Sequence, residues 1–159
     1  DLEAMRRDSE RLASILNPPS GGGGTTIPSE FHGPYQWPVP GHRQITSPYG
    51  PRSGVGVGSF HLGIDISCPT GSSIVASKKG RVISAGYMGS YGNLVVVDHG
   101  GGMATAYAHN SSIKVRVGQM VSKGQVLALS GMTGAATGPH CHFEVRKNGT
   151  AVNPMSYLR

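Results

Sequence analysis

Residues 137–149 read "TGPHCHFEVRKNG", and this stretch decides how the rest of the chain is read. A glycine-proline turn gives way to an alternation of apolar and charged residues. Alternation with a period of two marks a strand, in which successive side chains point to opposite faces. His140 and His142 therefore share a face, about 7 Å apart along the chain, and Cys141 looks the other way. Two imidazoles on one face fit a metal site, a proton-transfer site, or both. Chance is the competing reading, and the rest of the chain has to decide.

The same short-strand pattern runs from Phe60 onward. "RVISAG", "NLVVVDH", "MATAYAH", "VLALS" and "HFEVR" are rich in β-branched and alternating residues and are separated by glycine turns. The 159 residues include 25 glycines and 11 prolines, over a fifth of the chain, which favours turns and short strands over long helices. The expectation is an all-β domain. "TGSSIVASKKGRV" and "VGQMVSKGQVLAL" echo each other and read as paired hairpin units, without the sustained period of a solenoid.

Upstream the grammar changes. Residues 1–17 place Leu2, Met5, Leu12 and Leu16 on one helical stripe, with Ser9 filling its gap and charges on the other faces. Pro18 and Pro19 end it. The helix reads as the end of a stalk, either the tail of a coiled coil or a lone helix, which at this length is marginal by itself. The glycines at 21–24 read as a flexible linker, so the domain boundary falls at about residue 26, with 1–26 as stalk and linker and 27–159 as the main domain. From 27 to about 47 the chain is rich in proline and aromatics. It is expected to be extended, pinned by Phe31, Tyr35 and Trp37.

Fourteen basic against eight acidic residues give a formal charge of +6, which favours an anionic partner or simple solubility. Aromatic and basic residues do not interleave, so nothing supports a nucleic-acid partner. No run approaches the length of a membrane span. Two cysteines, Cys68 and Cys141, permit one disulfide and demand none.

The histidines carry the chemistry. In "FHLGIDIS", His61 and Asp65 are four apart, but Gly63 and the following Cys68-Pro69 make poor helix material. A fully extended strand would separate them by about 13 Å, too far for one ion. The chain must bend at Gly63, so His61 is expected on a loop and Asp65 on a strand. "TAYAHN" adds His109 at a strand end, with Tyr107 two residues earlier and expected on the same face. Histidine nitrogens with one carboxylate suit zinc, and three ligands with an open position mark a catalytic rather than a structural ion.

His61-x-x-x-Asp65, Tyr107-Ala108-His109 and His140-x-His142 resemble the signature of the lysostaphin-like (LytM-type) zinc endopeptidases, which cut peptide bonds in bacterial peptidoglycan. The resemblance runs from about Trp37 to Leu158 and includes "GIDI", "TGPHCHFEV" and the terminal "NP". It implies two antiparallel sheets forming a groove with one zinc on its floor. It implies His61, Asp65 and His142 as ligands, and His109 and His140 as catalytic histidines beside a metal-activated water. His140 is then the first choice for general base, and His109 for stabilising the oxyanion or protonating the amine, with exchange of the two roles left open. Tyr107 is a substrate-binding candidate, with strand packing as its alternative.

The resemblance also implies an extracytoplasmic protein, secreted, wall-bound or membrane-anchored, or one associated with a phage. That setting favours a Cys68–Cys141 disulfide, against which stands a pair of small buried thiols. His32, His42 and His99 are read as structural, and Asp98 as a turn residue. The alternative to an enzyme is a silent relative that binds wall peptide or activates another hydrolase. Such relatives typically have lost ligands, whereas here all five residues are present. Two further readings concern the amino-terminal region. An upstream coiled coil or membrane tether would hold the domain at a distance, and residues 27–47 could lie across the groove and restrain it.

Overall fold

The computed structural model describes residues 2–16, 34–51 and 60–158, with the side chains of the first helix described from Arg6 onward. Helix α1 spans Leu2–Leu16. Twelve strands follow among the described residues: β1 Ile45–Ser47, β2 Gly50–Pro51, β3 Phe60–His61, β4 Ile64–Ser67, β5 Ser73–Val75, β6 Gly80–Tyr87, β7 Asn93–Gly100, β8 Met103–Ile113, β9 Met120–Val121, β10 Val126–Ser130, β11 His140–Lys147 and β12 Thr150–Val152. Ten of them form one sheet, whose main path runs β1-β4-β11-β8-β7-β6-β9, and β2 with β3 forms a small second sheet. Every named pairing is antiparallel. The expected all-β fold of two antiparallel sheets is what forms, with the two sheets very unequal.

The two echoing passages pair with each other rather than each closing its own hairpin. Gly80 lies opposite Val121 and Arg81 opposite Met120, while Ile74 lies opposite Ala128 and Val75 opposite Val126. Strands of two or three residues are too short to stand alone. Similar sequence here reflects similar partners.

The sheet is covered on both faces. On one face Phe143, Val145 and Cys141 of β11 join Tyr107, Ile64, Ile66, Leu127 and Trp37 in the larger apolar core. Tyr35 and Val39 are also fully buried there, so the lead-in is pinned as expected of Tyr35 and Trp37, and Phe31 lies outside the described residues. The Tyr35 amide donates to the Tyr157 carbonyl, and Trp37 Nε1 donates to the His42 carbonyl. Tyr35, Trp37 and Val39 thus run with the core, while β1 lies beside the strand that carries Asp65, with Ser47 opposite Asp65 and its Oγ 3.2 Å from His61 Nδ1.

The opposite face is covered by α1. Leu12 is fully buried against Tyr91, Leu94, Val96, Ala104, Ala106 and Ala108, and Leu16 packs at the edge. The alternation of alanine with larger residues along β8 makes room for the helix on this face while filling the core on the other. The helix therefore packs on the domain's own sheet instead of standing off it. The boundary expected near residue 26 lies outside the described residues.

A buried polar chain ties the turns of the far edge together. Ser77 N–H donates to the Tyr107 hydroxyl, Tyr107 to Thr105 Oγ1, Thr105 to His99 Nε2, and His99 Nδ1–H to the Lys79 carbonyl, at 2.6–2.9 Å. His99 is thus a satisfied structural histidine, and burial pushes it down to about 4. Cys68 and Cys141 are buried free thiols. Of the two alternatives for them, the structure shows the small apolar fillers.

Candidate active site

Asp65 on β4 and His142 on β11 are direct cross-strand partners. His61 enters from β3, joined to β4 by the Leu62-Gly63 turn, so it sits on a short strand of the small sheet and not on the expected loop. Gly63 is needed for space as well as bending: a Cβ there would collide with the Phe143 carbonyl and the Glu144 side chain. The turn can press against β11, next to His142, only without one.

These elements bring three lone-pair atoms together. His142 Nδ1 lies 2.9 Å from Asp65 Oδ1, His61 Nε2 lies 3.2 Å from Asp65 Oδ1, and His61 Nε2 lies 3.2 Å from His142 Nδ1. On a tetrahedral zinc with bonds of about 2.0–2.1 Å, two ligand atoms are roughly 3.3 Å apart. The triangle is a little tight for that ion and chemically right for it.

Each histidine of the site has its tautomer fixed by an acceptor behind it. His61 Nδ1–H donates to the Pro48 carbonyl at 3.0 Å, and His142 Nε2–H donates to Glu144 Oε2 at 2.7 Å. His109 Nδ1–H donates to the Thr133 carbonyl at 2.7 Å, and His140 Nδ1–H to the Gly138 carbonyl at 2.9 Å. A neutral ring held in that tautomer offers its other nitrogen as an acceptor, the form in which it can ligate a metal. For His61 and His142 that nitrogen is the one in the triangle. An acceptor behind each imidazole is the usual support of a metal-ligating histidine.

His140 and His109 stand beside the triangle. His140 Nε2 is 3.5 Å from Asp65 Oδ1. The His109 ring centre is 4.9 Å from that of His140 and 5.9 Å from that of His142. The five expected site residues are therefore brought together. Tyr107 is not: it is fully buried in the core on the other face, packed on Phe143. The expectation that it shares a face with His109 fails because His109 has φ of +64°, and the pairing of β7 with β8 shifts register there. That bulge re-aims one side chain and breaks the alternation. A positive φ at a non-glycine residue is a strained conformation of the kind found at functional sites. Thr133 holds it in place: its carbonyl takes the His109 proton, its hydroxyl donates to the Asn110 carbonyl at 2.7 Å, and Asn93 N–H donates to that hydroxyl at 3.1 Å.

The electrostatics follow the packing. Burial would raise the Asp65 carboxyl, but the two imidazoles paired with it, His142 and His61, hold it well below the usual range. Burial would lower His142, but Asp65 and Glu144 on either side hold it up. Burial, with the neighbouring His142 second, pushes His109 down to about 4.

Sequence reasoning missed the group behind His142. Glu144 is fully buried, and burial would raise it, but Arg146 holds its carboxyl low. Arg146 Nε and Nη2 both reach Glu144 Oε1, at 2.8 and 2.7 Å, and Tyr91 donates its hydroxyl to Glu144 Oε2 at 2.9 Å. The signal was present: 144 and 146 continue the face of 140 and 142, and two charges on a face that bears a metal ligand call for partners.

The chain is 40% identical over 117 residues to the DD-carboxypeptidase/endopeptidase Mpg of Neisseria meningitidis serogroup B, covering 72% of this chain and 27% of that protein. It is 38% identical over 125 residues to the murein hydrolase activator NlpD of Escherichia coli, covering 78% of this chain and 31% of that protein. The chain thus spans about a quarter to a third of the length of these relatives. A zinc-containing peptidase from Vibrio cholerae superposes with a TM-score of 0.72 at 37% identity, over 76% of this chain and 39% of that one. The catalytic domain of lysostaphin from Staphylococcus simulans superposes with a TM-score of 0.65 at 32% identity, over 70% and 89%. A profile of Peptidase family M23 matches residues 59–154, which carry all five site residues, and the chain belongs to that family.

Proposed function

We propose that the chain is a zinc-dependent endopeptidase that hydrolyses peptide bonds in the stem peptides or cross-bridges of bacterial peptidoglycan, outside the cytoplasm. The observation that carries this reading is the set of four imidazoles, each tied back through one N–H and each offering its other nitrogen to one small space. His61, Asp65 and His142 would hold the ion. When bound, zinc supplies Lewis acidity, polarising a carbonyl and acidifying water.

The chain's own residues do the rest. His140 Nε2, 3.5 Å from Asp65 Oδ1, takes a proton from the attacking water. The same N–H then returns it to the leaving amine as the C–N bond breaks, so acid and amine are released with the proton balance closed. His109 is kept neutral at physiological pH by burial, and its one N–H is spent on Thr133. Its Nε2 is therefore suited to accept a hydrogen bond from the water and hold it in line. Stabilising the oxyanion or protonating the leaving amine stays open to His109, with exchange of roles between it and His140.

A second reading has one observation behind it, the similarity to a relative named as a murein hydrolase activator. Incubation of the zinc-loaded protein with peptidoglycans of differing cross-bridge chemistry, followed by mass analysis of the fragments, decides between them. Release of fragments with new amino and carboxyl termini is expected. No release by the metal-loaded protein, with activation of a separate hydrolase, would establish the second reading instead.

A further inference from the structure

We propose that α1 is part of the support of the metal-ligand set, with Ser9 and Arg146 as positioning residues for His142. This rests on the metallopeptidase reading above and adds an element that lies some 130 residues away from His142 in sequence.

The geometry is a continuous series of short contacts. Arg146 Nη2 donates to Ser9 Oγ at 2.9 Å and to the Tyr91 hydroxyl at 3.1 Å, and Nη1 donates to the Gly149 carbonyl at 2.9 Å. The guanidinium is thereby held so that Nε and Nη2 face Glu144 Oε1. Glu144 in turn places Oε2 where His142 Nε2–H meets it, leaving His142 Nδ1 in the ligand triangle. All four residues are at least nine-tenths buried, so none of these groups can exchange its partner for bulk water.

Ser9 is brought to Arg146 by two independent anchors. Asp8 Oδ2 accepts from Ser90 N–H at 2.8 Å and from Ser90 Oγ–H at 2.7 Å. One turn on, Leu12 is buried among Tyr91, Leu94 and the alanines of β8. Gly89 lies so close to the Asp8 carboxylate that a Cβ there would collide with it. The polar interruption of the helix's apolar stripe thus has a use. An alanine at position 9 would keep the helix and its burial but remove one of the three acceptors that the two N–H groups of Nη2 share with Tyr91 and Glu144, loosening the hold on the guanidinium that faces Glu144.

The test compares zinc binding and ligand field in the full chain. Competition with a chromophoric chelator gives the zinc dissociation constant, and cobalt(II) substitution gives a visible spectrum that reports the geometry of the ligands. Changes behind a metal-ligating histidine typically cost about 10- to 100-fold in affinity. Ser9 stands two contacts further out, so Ser9→Ala is expected to weaken zinc up to about 10-fold and to alter the cobalt spectrum. Ser9→Thr, which keeps the hydroxyl, should restore both. Arg146→Lys should show the larger loss; should it fail to fold, the Ser9 pair decides alone. An unchanged zinc constant and cobalt spectrum in Ser9→Ala, whatever its thermal midpoint, would overturn the proposal and leave α1 as a cover. If the unmodified chain binds no zinc, this proposal and the metallopeptidase reading fall together. If it binds zinc and Ser9→Ala binds equally, only this one falls.

Discussion

The two faces of β11 are buried to the same degree and held by opposite means. Cys141, Phe143 and Val145 look into the apolar core, where stability scales with area and partners are interchangeable. His142, Glu144 and Arg146 look the other way, where each buried polar atom has a named partner at 2.7–3.1 Å. The first face tolerates repacking and resists loss of volume. The second tolerates loss of volume poorly and change of chemistry not at all, because an unpaired charge in low dielectric has no substitute for its partner. One strand thus serves as a wall on one side and as a ligand mount on the other.

The comparison breaks most sharply at the chemistry. His140→Ala should reduce hydrolysis by about 10²–10⁴-fold while zinc remains bound, measured by fragment release and metal content. His61→Ala should lose both, and retained hydrolysis in His140→Ala would remove that residue from the proton path. Next comes the polar face behind the ligand. Glu144→Ala should destabilise the fold by about 3–5 kcal/mol, since Arg146 is left buried and unpaired, and should weaken zinc about 10- to 100-fold. Urea unfolding and zinc titration read the two effects separately.

The apolar face sharpens the contrast. Phe143→Ala should lose a similar about 3–5 kcal/mol through the cavity it leaves. The zinc constant of the folded protein should hardly move. If it fell as far as in Glu144→Ala, the two faces would not be independent.

A smaller effect belongs to His99. Its folded value is about 4 against an ordinary 6.5, first because it is buried. Between those limits the unfolded chain binds a proton that the folded chain refuses. Its contribution is therefore present above pH 6.5 and lost as pH falls toward 4, about 3 kcal/mol in all. Urea midpoints across that window should fall less steeply in His99→Phe than in the unmodified chain. The smallest effect is expected at the thiols: native protein should resist alkylation, with Cys141 buried and pushed well above its ordinary value. Denaturation should expose two reactive thiols, and a native mass short by two hydrogens would restore the disulfide.

Much of this was legible before any coordinates. Alternation in "HFEVR" and "NLVVVDH" placed strands, and glycine with proline placed turns. The two-residue period put His140 and His142 on one face, and the resemblance of the motifs around His61, Asp65 and His109 to a known family joined these to them as candidates. The period could not state where it is interrupted. The +64° φ at His109 turns one ring to the opposite face from Tyr107, and nothing in "TAYAHN" announces it. The echoing passages gave similar strands but not their pairing, since strands of two or three residues take their partners from the whole sheet.

By itself, then, the sequence determined the β-rich class and the chemistry open to a nitrogen-and-carboxylate set, because these are local properties of residue type and spacing, and the resemblance of its motifs named five candidate residues. Tertiary structure alone decided that α1 lies on the sheet, that Ser9 meets Arg146 and that Glu144 backs His142. Pairing buried charges depends on which distant segments are closed upon each other, and local spacing carries no record of that closure.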